Sequence, residues 1–259
     1  MAKGKNILSS VEDFKYTEAA PEIDPKEFQK VIKSRRSVRI FDGTPIPETV
    51  TKLCLENGLL APNSSNLQQC ELYWVTSPDK KAALIKACLN QVAARKAAEL
   101  IVVTARTATW RAHAREMTAI FSKAKEGSVP GSAIDYYNRL VYFAYTVGLF
   151  SIVGFFKRIL FFFIGLKQPV IREVVSKSQI KIWAVKSSAL AAENIMLSFR
   201  AYGFDTCPME GYDSKRIRKI LDLPRDAVVV MVIAAGKRGP GGIYGPQLRY
   251  DSKRFIKKV

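Results

Sequence analysis

Apolar positions along this chain change period several times, and each change marks an element. From Asp24-Pro25 the residues Phe28, Val31 and Ile32 recur at helical spacing, with Asp24 suited to an N-cap and Pro25 to the first helical position. That helix delivers Arg35 and Arg36 at its end. Asp42-Gly43-Thr44-Pro45 reads as a turn, and Pro47-Glu48 opens a second helix through Val50, Leu53 and Cys54 that ends near Gly58. After a polar loop at 61–69, Glu71–Val75 reads as a strand, Pro78–Leu89 as a helix and Glu99–Arg106 as a buried strand. Trp183–Tyr202 is apolar enough for a largely buried helix, stopped by Gly203. Phe204–Cys207 is extended, Asp213 or Ser214 caps a basic helix that Pro224 ends, and Ala227–Ala235 has the unbroken apolar run of a central strand. This order predicts an α+β or α/β layered fold around one mixed sheet.

Residues 140–166 depart from that regularity. They are apolar and aromatic, interrupted only by Lys157 and Arg158, and the uncharged part from Leu140 to Phe156 just reaches the roughly 17 residues a spanning helix needs. Three expectations stand side by side: a lid or dimer-interface insertion, an in-plane membrane helix with Lys157 and Arg158 at the headgroups, and a transmembrane hairpin. Basic residues from Lys123 and Lys125 through Arg139, Lys167, Arg172, Lys177 and Lys181 flank the stretch, either as the rim that anionic lipid favours or simply as a solvated face.

Length and charge narrow the classes. At 259 residues one domain with a substantial core is expected, with residues 1–25 as a loose arm and 26–259 as the folded unit. A net charge of +18 would attract nucleic acid, anionic lipid or phosphorylated small molecules. No zinc-finger or helix-turn-helix signature is visible and aromatics do not interleave with the basic residues, so nucleic acid is not expected as a partner. Cys54, Cys70, Cys88 and Cys207 form no CxxC pair and no metal spacing, which implies reduced thiols and a cytoplasmic chain. The residues that follow Met1–Ser10 lack the apolar run of a secretory signal. His113, the single histidine, has no serine-nucleophile motif near it, and no Gly-rich phosphate loop opens a helix. Neither a catalytic triad nor catalytic acid–base pair is expected.

Three dispersed segments carry candidate chemistry instead. Arg35-Arg36-Ser37-Val38-Arg39 offers guanidinium groups and a hydroxyl, a set suited to phosphate. Ala61-Pro62-Asn63-Ser64-Ser65-Asn66-Leu67-Gln68 offers amides and hydroxyls, and Cys207-Pro208-Met209-Glu210-Gly211 a tight turn with exposed backbone donors. Each alone is unremarkable: a basic helix end, a polar turn, a proline turn. In this order and spacing they resemble the FMN-dependent nitroreductase family.

That resemblance, over roughly residues 26–110 and 183–250, implies a nitroreductase-like homodimer with intertwined protomers, and leaves residues 111–182 as an apolar insertion. It implies FMN held by Arg35, Arg36, Ser37 and Arg39 at its phosphate and ribityl edge. Pro62, Asn63, Ser64, Ser65, Asn66 and Gln68 would approach from the second subunit, Pro208, Met209, Glu210 and Gly211 would lie beneath the ring, and Gln91 would sit near its pyrimidine edge. Gly236-Lys237-Arg238 and Gly245–Arg249 resemble the closing segment that returns basic side chains, Lys237, Arg238 and Arg249, to the phosphate. The implied activity is ping-pong hydride transfer in which NAD(P)H reduces FMN and an electron-poor nitroaromatic or quinone re-oxidises it, the cofactor carrying the chemistry. The same scaffold hosts several reductive chemistries, dehalogenation and reduction of free flavin among them. The rival expectation is a membrane-surface protein that keeps the flavin fold without turnover, anchored through 140–166.

Overall fold

Unbroken apolar runs make the centre of the sheet. In the computed structural model, which describes residues 17–124, 131–148 and 151–259, four strands form one sheet: β1 (Cys70–Trp74), β2 (Glu99–Arg106), β3 (Asp205–Met209) and β4 (Ala227–Gly236). Their order is β1-β2-β4-β3, so the two continuous apolar runs occupy the two inner places. Every ladder is antiparallel. The parallel component of the expected mixed sheet is a single bridge between Ser37 and Thr206. Side chains alternate across the pleat, so Leu100, Val102, Val232 and Ala234 enter one core while Ile101, Val103, Ile233 and Ala235 enter the other.

The helices are α1 (Pro25–Ser34), α2 (Glu48–Leu59), α3 (Pro78–Ala87), α4 (Val92–Lys96), α5 (Trp110–Ser122), α6 (Gly131–Asp135), α7 (Val141–Tyr145), α8 (Ile152–Gly165), α9 (Lys177–Ala201) and α10 (Ser214–Ile220), with a π-helical turn joining α6 to α7. Helices α3, α4 and α10 cover the first core and α2 and α9 the second. Asp24 caps α1 as its position predicts, accepting from the Lys26 N–H at 2.8 Å. The long helix α9 starts two turns before the expected Trp183, because Ser176 caps it through the Gln179 N–H. It ends where Gly203 adopts φ +81° and lets the Phe204 N–H reach Phe199 O at 2.9 Å. Fully buried Phe199 then anchors the turn into β3. A third core beyond the sheet joins Leu67, Trp110, Tyr137, Tyr145 and Trp183.

Residues 140–166 do not form one helix. The chain leaves α7 at Thr146 in extended conformation and re-enters helix at Ile152. At 14 residues α8 is about 21 Å long, short of the roughly 30 Å hydrocarbon layer. Among the described residues no helix is long and apolar enough to cross a membrane, which removes the transmembrane hairpin there. Lys157 also corrects its expectation. Instead of lying at a headgroup it is buried against the protein, while Arg158 beside it is exposed. Of the expected arm, 17–24 is exposed chain without helix or strand, and 1–16 lie outside the described residues, as do Lys125 and Leu149-Phe150 of the middle region.

Candidate functional site

Arg35 leaves α1 in extended conformation, and the next residues run directly beside β3. Ser37 bridges Thr206, and the Val38 N–H donates to Thr206 O at 3.0 Å. On its other side the segment meets the closing stretch, with the Arg39 N–H on Gly242 O at 2.8 Å and the Gly239 N–H on Ile40 O at 3.0 Å. Val38 is fully buried and fixes the alternation, so Ser37 and Arg39 share the opposite face. There Arg35, Arg36, Ser37, Arg39, Tyr244 and Arg249 line a cavity of about 270 Å³ to which no described residue contributes a carboxylate.

Its basic groups are held at defined places. Arg36 donates from Nη2 to Gly245 O at 2.6 Å, and the Arg39 guanidinium lies 5.0 Å from the Tyr244 ring centre. Arg249 donates to its own neighbour's carbonyl, Leu248 O, at 2.7 Å. Arg35 Nη1 is buried with no partner among the described residues. An orphaned guanidinium donor beside three further arginines fits a multiply charged phosphate, whose oxygens accept paired hydrogen bonds. The FMN phosphate therefore matches the residues present.

Two of the expected phosphate ligands are engaged elsewhere. Arg238 forks onto Asp205, Nε to Oδ2 at 3.0 Å and Nη2 to Oδ1 at 2.6 Å, and Arg200 adds a third bond at 2.9 Å. Asp205 is only 2 % exposed, so this triad fastens the end of α9 to β3 and β4. Lys237 donates to Gly203 O at 3.2 Å and lies over the Phe204 ring. Neither side chain lines the arginine cavity.

Downstream of the bridge, Pro208 and Met209 complete β3 and Glu210-Gly211 form an exposed turn closed by the Tyr212 N–H on Glu210 O at 3.1 Å. Gln91 holds that turn, donating from Nε2 to Gly211 O at 2.7 Å. The phosphate segment and the proline turn are thus joined through one strand.

The polar loop lies apart from them. Ser65, Asn66 and Gln68 all take positive φ, a strained set for residues with a Cβ. Tyrosines hold it in place: Ser64 Oγ is 3.0 Å from the Tyr145 hydroxyl, Ser65 Oγ is 2.7 Å from that of Tyr136, and Tyr137 donates to Ser65 O at 2.9 Å. Half-buried His113 places Nδ1 2.6 Å from Leu67 O. Inside the loop, Asn63 Oδ1 accepts from the Gln68 N–H at 2.8 Å. Gln69 is 1 % exposed with both amide atoms unpartnered, and it lines a pocket of about 160 Å³ with Asn63, Gln68 and Ser187. Ser64 and Ser65 also face a mostly apolar cavity of about 510 Å³ between Tyr136, Tyr145, Val174, Ile182 and Trp183. No residue of 61–69 lines the arginine cavity. Within one protomer the first and third segments meet and the second stands elsewhere.

Burial pushes the Cys54 thiol up to about 12 and the Cys88 thiol up to about 11, leaving both protonated at neutral pH.

The profile of the Nitroreductase family matches residues 32–237, about four-fifths of the chain. The chain belongs to the Nitroreductase family. It is an oxidoreductase of that family, whose cofactor is FMN and whose electron donor is NAD(P)H. An NADH dehydrogenase of Thermus thermophilus is 26% identical over 224 residues, covering 86% of this chain and 91% of its own. A protein of Exiguobacterium sibiricum solved in complex with FMN superposes with a TM-score of 0.64 at 24% identity, over 94% of this chain and 100% of that one. A gut-bacterial enone reductase of fatty-acid saturation superposes with a TM-score of 0.65 at 21% identity, over 90% and 97%. The family match runs through residues 111–182, which the three motifs alone leave outside the resemblance.

Sequence reasoning missed Gln69 and the tyrosines that pin the nitroreductase loop. Tyr136, Tyr137 and Tyr145 carry a signal, since buried tyrosines in an apolar stretch need partners for their hydroxyls. Gln69 carries none, because the pocket it lines is closed by α2 and α9, elements remote from it in sequence.

Proposed function

We propose that this nitroreductase works as a homodimer in which each FMN is held by Arg35, Arg36, Ser37, Arg39 and Arg249 of one protomer and met by Asn63–Gln68 of the other. The Ser37–Thr206 bridge carries this reading, because it places the arginine cavity and the Pro208–Gly211 turn on one continuous piece of structure. When bound, FMN supplies the two-electron chemistry, taking electrons from NAD(P)H and giving them to a second substrate. The chain's part is to hold and orient. Arg35 offers a buried, unpartnered donor to the phosphate, and the N–H groups around Glu210 and Gly211 present backbone dipoles, kept in register by Gln91. The strained loop offers Asn66 and Gln68 side chains on a backbone that the tyrosine hydroxyls keep from relaxing.

The acceptor side is the 510 Å³ cavity beside Ser64 and Ser65. Its walls at Val141, Tyr145, Ile182 and Trp183 suit an apolar or aromatic body, with Lys186 and Gln179 at hand for its polar end. A quinone or nitroaromatic of substantial lipophilicity matches that lining, and a protein of the same fold is an enone reductase that catalyses a step of fatty-acid saturation. Anaerobic NADH and NADPH oxidation against quinones of increasing chain length tests this directly. The expected result is a kcat/KM that rises with acceptor lipophilicity and falls in Trp183→Ala. Turnover indifferent to both would place the acceptor elsewhere. Mixing Arg35→Ala with Asn66→Ala protomers tests the shared site: mixed dimers are expected to carry one site of wild-type FMN affinity, which neither weakened parent has.

A further inference from the structure

The faces of α8 are sorted in the reverse of the usual order. A stripe at Gly154, Lys157, Phe161 and Ile164, three and four residues apart, turns toward the protein. Gly154 permits the contact, since a Cβ there would stand 1.8 Å from Val175 O. Lys157, 5 % exposed, donates from Nζ to Ala144 O at 2.9 Å, Thr146 O at 3.1 Å and Val174 O at 3.4 Å. These carbonyls belong to the end of α7 and to the non-helical segment before α9, where Val174 takes φ +64°, so the ammonium satisfies backbone that helical hydrogen bonds do not reach. The outer face is the apolar one. Eight side chains between Ile152 and Phe163, four of them phenylalanines, are 40–64% exposed, and Arg158 is the one charge among them. Scattered exposed apolar residues need no explanation, but a whole helix face of them does.

Charge decides what covers it. Between residues 151 and 186 the chain has one acidic residue, Glu173, against exposed Arg158, Lys167, Arg172, Lys177, Lys181 and Lys186. Arg172 is folded onto the end of α8, where a Cβ at Gly165 would stand 2.2 Å from its Nη2. A second copy docking through α8 would set this basic rim against itself. An anionic surface would meet it with opposite charge, and the helix is too short to do anything but lie flat. We propose that the outer face of α8 docks into the interface of an anionic lipid bilayer, with Phe155, Phe156, Phe162 and Phe163 below the headgroups and Arg158, Lys167 and Arg172 among them. Lys157 then works from the protein side: it ties the docked helix to Ala144 and Val174, two residues of the 510 Å³ cavity wall. The lipid contact stands on the helix alone and holds whatever the acceptor is.

The test is co-flotation of the full-length, FMN-loaded protein with vesicles of phosphatidylcholine, with and without phosphatidylglycerol. Wild type is expected to float with the anionic vesicles, to stay behind with neutral ones, and to be released by high salt. The variant Phe155→Ser/Phe156→Ser/Phe162→Ser/Phe163→Ser changes only exposed positions; it is expected to float about tenfold less or worse while keeping its bound flavin spectrum. Arg158→Glu/Lys167→Glu should lose the preference for anionic lipid. Wild type that fails to float, or a phenylalanine variant that floats as well as wild type, overturns the proposal. A wild type that does not float, paired with a phenylalanine variant that falls from dimer to monomer in sedimentation, would assign the face to a second copy.

Discussion

Around Ser37, Val38 and Phe41 are buried and the arginines face an open cavity, whereas along α8 a lysine is buried and four phenylalanines face outward. Both regions are basic and both carry aromatic side chains, so composition does not separate them. The difference is what each cation finds. Arg35 has a buried Nη1 with no partner among the described residues and so is set up for a ligand, while Lys157 has three carbonyls and is already satisfied. Partnership, rather than the presence of positive charge, separates a binding cation from a structural one.

The sharpest way to break the first region is to remove its anchor. Asp205→Ala removes the buried carboxylate shared by the partly solvent-accessible Arg200 and Arg238, and the loss of its charge-assisted hydrogen bonds is expected to cost about 3 kcal/mol of stability, measured by urea unfolding. Arg35→Ala leaves the fold intact and removes the orphaned donor. FMN affinity should fall by about 1.5–3 kcal/mol, roughly ten- to a hundredfold in Kd by fluorescence titration. The contrasting change in the second region, Lys157→Leu, should leave FMN affinity unchanged. It orphans three carbonyls and loosens α8 by about 1–2 kcal/mol, read as faster amide exchange in α8.

The smallest effect separates the sheet from both regions. Burial raises the Asp226 carboxyl, but its hydrogen bonds from Arg106 and the Ala108 N–H outweigh that and hold it below its ordinary 3.8. A lowered carboxyl contributes stability that is present above its unfolded value and lost as pH falls through its folded one. Wild type should lose stability on acidification below about pH 4 more steeply than Asp226→Asn, by about 1 kcal/mol or less, in thermal melts across pH.

What the sequence made legible follows from how local each signal is. The caps at Asp24 and Asp213, the stop at Gly203 and the apolar runs of β2 and β4 rest on neighbouring residues, and the structure places them where the pattern predicts. The three motif segments were visible as residue types. That Ser37 pairs with Thr206 was not, because a contact across 169 positions leaves no periodic trace. The resemblance of its sequence neighbours points Arg238 to phosphate; its partner Asp205 lies on the adjoining strand β3, 33 positions away. Residues 140–166 left three readings open for the same reason. The extended turn at Thr146 and the inward Lys157 depend on packing against Val174 and Val175, which no neighbouring residue announces.

The visible absorbance spectrum of the purified protein, before and after anaerobic NADH or NADPH, tests the flavin frame most directly. The account predicts flavin bands that bleach with the donor and return when a quinone is added. A colourless protein that takes up no added FMN would contradict it, and would leave the arginine cavity to some other phosphorylated ligand.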